Sequence, residues 1–150
     1  MKRIRKAVAA VLGTGVLLAI GILAAPAATA TVYPTCDGSS CLGLDPTRTY
    51  SSIDGYRCDA GAYTPWTQQQ GLAAVSTAEG YVELRYGPHC HANWARISSS
   101  SPGTWFWVQN WNKYNQQYYV PSGYTSGYTN MVNGYPLARA GDAGGHTGWY

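Results

Sequence analysis

Leu72-Ala-Ala-Val-Ser-Thr77, Ala78-Glu79-Gly80 and Tyr81-Val-Glu-Leu-Arg-Tyr86 follow one another without a break, and they decide the fold class. Two β-favouring runs joined by a short glycine-containing connection read as a hairpin. In the second arm Val82, Leu84 and Tyr86 share one face, and Tyr81, Glu83 and Arg85 share the other, which reads as solvated. Gly87-Pro88 stops the strand. Working outward, Trp94-Ala-Arg-Ile-Ser98 reads as a third strand, with Trp94, Arg96 and Ser98 on one face. Thr104-Trp-Phe-Trp-Val-Gln-Asn-Trp111 is dense in β-favouring rings, and Gln117-Tyr-Tyr-Val120 gives a further strand closed by Pro121. Thr129-Asn-Met-Val132 and residues 135–138 read as late strands around Asn133-Gly134, a hairpin turn signal. Pro136 confines the second of these to a sheet edge. The terminal Trp149-Tyr150 is expected to tuck into the core. On the other side of the hairpin, residues 31–49 are broken by Pro34, Asp37-Gly38, Gly43 and Asp45-Pro46 and read as loop-like. Residues 50–70 are irregular, with Thr64-Pro65-Trp66 as a turn. No helix of ordinary length is read. The expectation is all-β: a small disulfide-stapled sandwich or barrel of about five to eight short antiparallel strands.

Upstream of this material the character changes. Met1-Lys-Arg-Ile-Arg-Lys6 is basic, and the nineteen residues 7–25 carry no charge. Ala28-Thr-Ala30 offers small residues where a signal peptidase requires them, so residues 1–30 read as a signal peptide and residues 31–150 as one secreted β-rich domain. Pro26 supports this, because it ends the apolar helix and leaves the scissile segment extended. The competing reading is an uncleaved membrane anchor, since the apolar run is long enough to cross a bilayer.

The cut changes the electrostatics. Of ten Lys and Arg, four (Lys2, Arg3, Arg5, Lys6) lie in the signal segment, leaving six bases against seven acids. A domain without basic excess has no electrostatic footprint for a phosphate backbone, so nucleic acid is removed as a partner. All twenty aromatic residues, thirteen of them tyrosines and six tryptophans, fall after residue 30. With aliphatic residues sparse, those rings must supply much of the buried area.

Cys36, Cys41, Cys58 and Cys90 all lie in the exported part. In an oxidising compartment four cysteines read as two disulfides, with three pairings open from sequence. Cys36–Cys41 with Cys58–Cys90 is the favoured pairing, contributing about 2 and about 4 kcal/mol on loop-closure grounds. A metal centre on the cysteines is disfavoured: there is no C-x-x-C pair, and one ligand set would span more than fifty residues.

Cys36-Asp-Gly-Ser-Ser-Cys41-Leu-Gly-Leu-Asp45-Pro46, Cys58, Val82-Glu-Leu-Arg-Tyr86 and Cys90-His-Ala-Asn-Trp94-Ala-Arg96 occur in this order, and Tyr128-Thr-Asn-Met-Val132 follows. Together they resemble the bacterial family catalogued as domain of unknown function 2690 over about Cys36 to Ile97. The resemblance implies a C-x-G-x-x-C-x-G-x-D-P opening, a V-x-L-R-Y-S strand and a C-x-x-x-W-A-R segment. Two departures are visible: Gly87 stands where the family has Ser, and Arg57-Cys58 where it has Gly-Cys. The resemblance implies export from Gram-positive bacteria. It implies no catalytic residues, because the family has no assigned activity.

His89-x-His91 has the spacing of two metal ligands if it lies on a strand, with His146 as a third if the tail folds back; the competing reading is two exposed rings flanking a disulfide cysteine. A hydrolase needs a nucleophile with a base or two spaced carboxylates, and neither pattern is found. Arg85 and Arg96 are expected to pair with Glu83 or Asp45. Trp105 and Trp107 share a strand face, and Trp111 joins them if the strand runs that far. In a domain short of Leu and Ile these rings are expected first as core and second as a ligand platform. The sequence thus points to a secreted, non-catalytic binding or interaction domain of the envelope or medium. Its expected partner is a cell-wall glycan or another exported protein, with no cofactor and no membrane contact after signal cleavage. A small extracellular hydrolase and a secreted protease inhibitor are the alternatives.

Overall fold

The computed structural model describes residues 31–150, so the signal peptide expected at residues 1–30 lies outside the described residues. Thr77 closes the expected hairpin: its amide donates to the Gly80 carbonyl at 2.9 Å, and its Oγ1 accepts from the amides of Glu79 and Gly80. This sets the register of β5 (Ala74–Ser76) on β6 (Tyr81–Gly87), with Val75 opposite Val82. β7 (Ala92–Ser98) pairs along the whole of β6, and β10 (Gly127–Tyr128) and β11 (Val132–Asn133) both pair with the far edge of β7. A second antiparallel sheet places β8 (Trp105–Asn110) between β9 (Asn115–Tyr119) and β12 (Ala138–Asp142).

The two sheets pack face to face as a sandwich. Val82, Leu84, Ala95 and Ile97 from the first sheet meet Phe106, Val108, Ala138 and Ala140 from the second in one buried cluster. Alternation along each strand produces this, since residues two apart share a face. A second cluster forms around the four cysteines, with Ala92, Trp94 and Met131.

The strands number twelve among the described residues, more than the five to eight expected. The excess comes from two-residue strands, mostly within stretches expected to be loop-like or irregular, and from a split of the expected first hairpin arm into β4 and β5. β1 (Thr35–Cys36) pairs in parallel with β2 (Tyr50–Ser51), and β3 (Trp66–Thr67) pairs with β4 (Gly71–Leu72), so Trp66 belongs to a small hairpin. Such pairs are too short to leave a period in the sequence. A 3-10 turn, Gly38–Cys41, is the sole helical element among the described residues.

The late strands differ from expectation in pairing. β11 joins β7 and β12 joins β8, so Asn133-Gly134 carries the chain between sheets and does not close a hairpin. Gly134 serves close approach: a Cβ there would lie 2.7 Å from the His91 carbonyl oxygen, to which its own amide donates. Pro136 precedes β12, which is an edge strand. Tyr150 is tied to Ala138 by two backbone hydrogen bonds and packs against the main core, as expected for the tail.

Candidate binding face

Alternation along β8 sends Phe106, Val108 and Asn110 into the sandwich and turns Trp105, Trp107 and Gln109 outward. The first expectation for the tryptophans, burial in the core, is therefore corrected. The inner face of β8 is already filled by Phe106 and Val108 against Ala138 and Ala140, which leaves no depth for indoles. Register arranges the outer face as rows. Trp105 lies opposite Tyr119, Trp107 lies between Gly141 and Gln117, and Gln109 lies between Arg139 and Asn115. The Trp105 Nε1–H donates to Gln117 Oε1 at 3.2 Å, which fixes the indole plane.

Gly141 makes room for the middle row. A Cβ at that position would stand 2.8 Å from the Trp107 ring, so its absence lets the indole lie over β12. Arg139 then stacks between two rings, its guanidinium carbon 5.5 Å from the Trp107 centroid and 4.5 Å from that of Trp149. The same guanidinium donates to Gln109 Oε1 at 3.0 Å. Trp111 lies past the end of β8 in the turn and is 61% exposed, yet its ring meets Trp149 edge-on at 5.0 Å. Trp149 thus serves the outer face, whereas only its neighbour Tyr150 reaches the core. Two shallow depressions of 190 and 420 Å³ share Gln109 and Arg139, and Lys113 lines the larger.

A separate groove of 440 Å³ lies beside β9 and β10, lined by Tyr118, Tyr124 and Tyr128 with Asp45, Arg96 and Asn130. Its arginine is engaged from behind. Arg96 Nε donates to Glu83 Oε2 at 2.7 Å, and Glu83 Oε1 accepts from Thr64 Oγ1 at 2.9 Å. Arg85 completes the network through Thr64 Oγ1 and the Ala62 carbonyl. Burial holds the Arg85 guanidinium below its usual range, Arg96 adds to this by repulsion, and Glu83 opposes it. Glu83 is 7% exposed, so its expected solvated face is in fact covered by the segment carrying Ala62 and Thr64.

The histidines go separate ways. Residues 88–91 form a turn, not a strand, and His91 has a φ of 43°. His89 Nδ1 meets Asp54 Oδ2 at 2.7 Å, while His91 Nδ1 meets Asp37 Oδ1 at 2.7 Å and stacks on Tyr135. His146 bonds the Thr147 carbonyl. The structure therefore brings no two of these rings to a common centre. Neither His89 nor His91 is hydrogen-bonded to a serine or cysteine side chain among the described residues.

All four cysteines are paired, Cys36 with Cys41 and Cys58 with Cys90, and their sulfurs converge despite the distance along the chain. Sequence reasoning missed Gln109, Asn115, Gln117, Arg139 and Trp149 as members of the outer face. Gln109 carried a signal, because it continues the two-residue period of Trp105 and Trp107, whereas Asn115 and Gln117 reach the face through the register of β9 on β8. Arg139 and Trp149 carried none, since their placement depends on β12 pairing with β8.

Comparison with curated proteins and with solved structures finds no match. The model of a family described as a protein of unknown function, DUF2690, matches residues 39–141, which include β2 to β11 and most of β12. The chain belongs to that family.

Proposed function

We propose that the protein acts outside the cell as a non-catalytic binding domain, and that the outer face of β8, β9 and β12 takes a cell-wall polysaccharide. The observation that carries this reading is the row Trp105–Trp107 with Arg139 held between Trp107 and Trp149. Indole faces present apolar area to the C–H faces of sugar rings, and a ring keeps its order without a large entropy cost on binding. Gln109, Asn115 and Gln117 offer donors and acceptors to hydroxyl and N-acetyl groups. Arg139 and Lys113 gather two of the domain's six bases on this face, which suits carboxylate-bearing glycans. Export is supported by the signal-like residues 1–30 and by four cysteines all paired as disulfides.

The test is co-sedimentation with insoluble peptidoglycan, with indole fluorescence as a second readout. The parent protein should pellet with the glycan, and Trp107→Ala should lower affinity at least about tenfold, a loss of about 1.4 kcal/mol. Tyr56→Ala, an exposed ring stacked on His89 away from this face, should leave binding unchanged. Equal binding by the parent and Trp107→Ala would overturn the assignment of the face.

A further inference from the structure

The two disulfides are not independent staples. All four Sγ atoms lie within 4.8 Å of one another, and those of Cys36 and Cys58, from different disulfides, are 3.8 Å apart. Tetrahedral zinc with Zn–S bonds of about 2.3 Å holds its sulfurs about 3.8 Å from each other. The contact between the disulfides already has that spacing. All four residues are at most 1% exposed, enclosed by Ala92, Trp94 and Met131, so water is kept from the centre.

The frame around the sulfurs is held by backbone hydrogen bonds that do not involve them. Ser52 donates to the Cys36 carbonyl at 3.0 Å, Gly38 to that of Cys90 at 2.8 Å, and Leu44 to that of Cys41 at 3.0 Å. The Cys58 amide donates to Thr49 at 2.9 Å. None of these anchors uses a sulfur atom, so a cation that ties the four sulfurs together is compatible with all of them. A rotation about each Cα–Cβ bond is then the main adjustment needed to spread each pair.

We propose that the reduced chain binds one zinc-class divalent cation through Cys36, Cys41, Cys58 and Cys90, and that oxidation to the two disulfides expels it. A newly made chain carries four thiols, and binding releases four protons as the thiols become thiolates. Oxidation then removes four electrons, two for each S–S bond formed. They pass to two equivalents of an external disulfide, which takes up four protons from water to become four thiols, and the cation leaves with its charge unchanged. Clustering is what the scattered cysteine spacing conceals: residues 36–41 deliver two sulfurs, and Cys58 and Cys90 bring one each from distant segments.

The test uses the full-length chain reduced with a phosphine under argon and titrated with cobalt(II), then with zinc. The expected result is one equivalent bound, with the intense long-wavelength absorption of tetrahedral cobalt thiolate, displaced by zinc. Cys36→Ser and Cys90→Ser, which fall in different disulfides, should each weaken binding by about a hundredfold or more. Leu84→Asp, which puts a charge in the main core while keeping all four thiols, distinguishes a built site from loose cysteines and should also bind about a hundredfold more weakly. No binding by the reduced chain, an octahedral cobalt spectrum, or equal affinity in Leu84→Asp would overturn the proposal.

Discussion

Glu83 faces Arg96 directly across β6 and β7 and shares Thr64 with Arg85, so one buried carboxylate serves two guanidinium groups. The two sides of this network are unequal. The Arg96 side chain is 50% exposed and can be resolvated if it loses its partner, whereas that of Arg85 is 18% exposed and cannot turn fully to water. Removing the carboxylate therefore costs more than removing the outer arginine. Glu83→Gln is expected to lower stability by about 2–3 kcal/mol, and Arg96→Ala by about 1 kcal/mol or less. Urea denaturation monitored by indole fluorescence measures both, and equal losses would contradict this hierarchy. Strand parity made a pairing of these arginines with Glu83 or Asp45 legible, and the register of β6 on β7 selects Glu83. The burial of Glu83 was not, because the covering residues Ala62 and Thr64 stand some twenty positions upstream in a segment without periodicity.

At the scale of an element, β8 sends its core residues and its outward rings to opposite faces of a single strand. Phe106 is fully buried at the centre of the sandwich, while Trp105 and Trp107 on either side face outward. Phe106→Ala is expected to cost about 3–5 kcal/mol, and Trp105→Ala under about 1.5 kcal/mol. Thermal unfolding of the two variants should differ accordingly, while the glycan sedimentation assay should reverse the order in the folded proteins. Gly141→Ala tests the same element from its neighbour. The added Cβ would displace the Trp107 ring and the Gly145 carbonyl, 2.5 Å away, so binding and stability should fall together. Period-two alternation made the strands of the central hairpin and β8 readable. It could not assign partners to β11 and β12, because Asn133-Gly134 looks the same whether it closes a hairpin or lets two backbones approach. Only the nearby His91 carbonyl decides between them.

At the scale of the whole molecule, an aliphatic-poor domain depends on its cross-links and on its tyrosines, and both make stability conditional. Loop closure gives the bridge between Cys58 and Cys90, separated by 32 residues, about 4 kcal/mol, and the five-residue Cys36–Cys41 bridge about 2 kcal/mol. The double variant Cys58→Ala/Cys90→Ala should therefore lose more than Cys36→Ala/Cys41→Ala in the same denaturation experiment. The dependence on pH has two limbs. The hydrogen bond from His89 holds the Asp54 carboxyl below the usual aspartate range. That contribution is present above about pH 4 and is lost as pH falls through the lowered value. Burial raises the Tyr86 and Tyr150 hydroxyls above the usual phenol range, and burial with the hydrogen bond to Asp37 does the same for Tyr135. Above about pH 10 the unfolded chain gives up these phenolic protons while the folded chain retains them, so stability declines as pH rises through the raised values. Urea midpoints should form a plateau bounded by an acid and an alkaline fall. Asp54→Asn should flatten the first and Tyr150→Phe should reduce the second. Midpoints that stay constant between about pH 9 and about pH 12 would show that the tyrosines do not couple to folding.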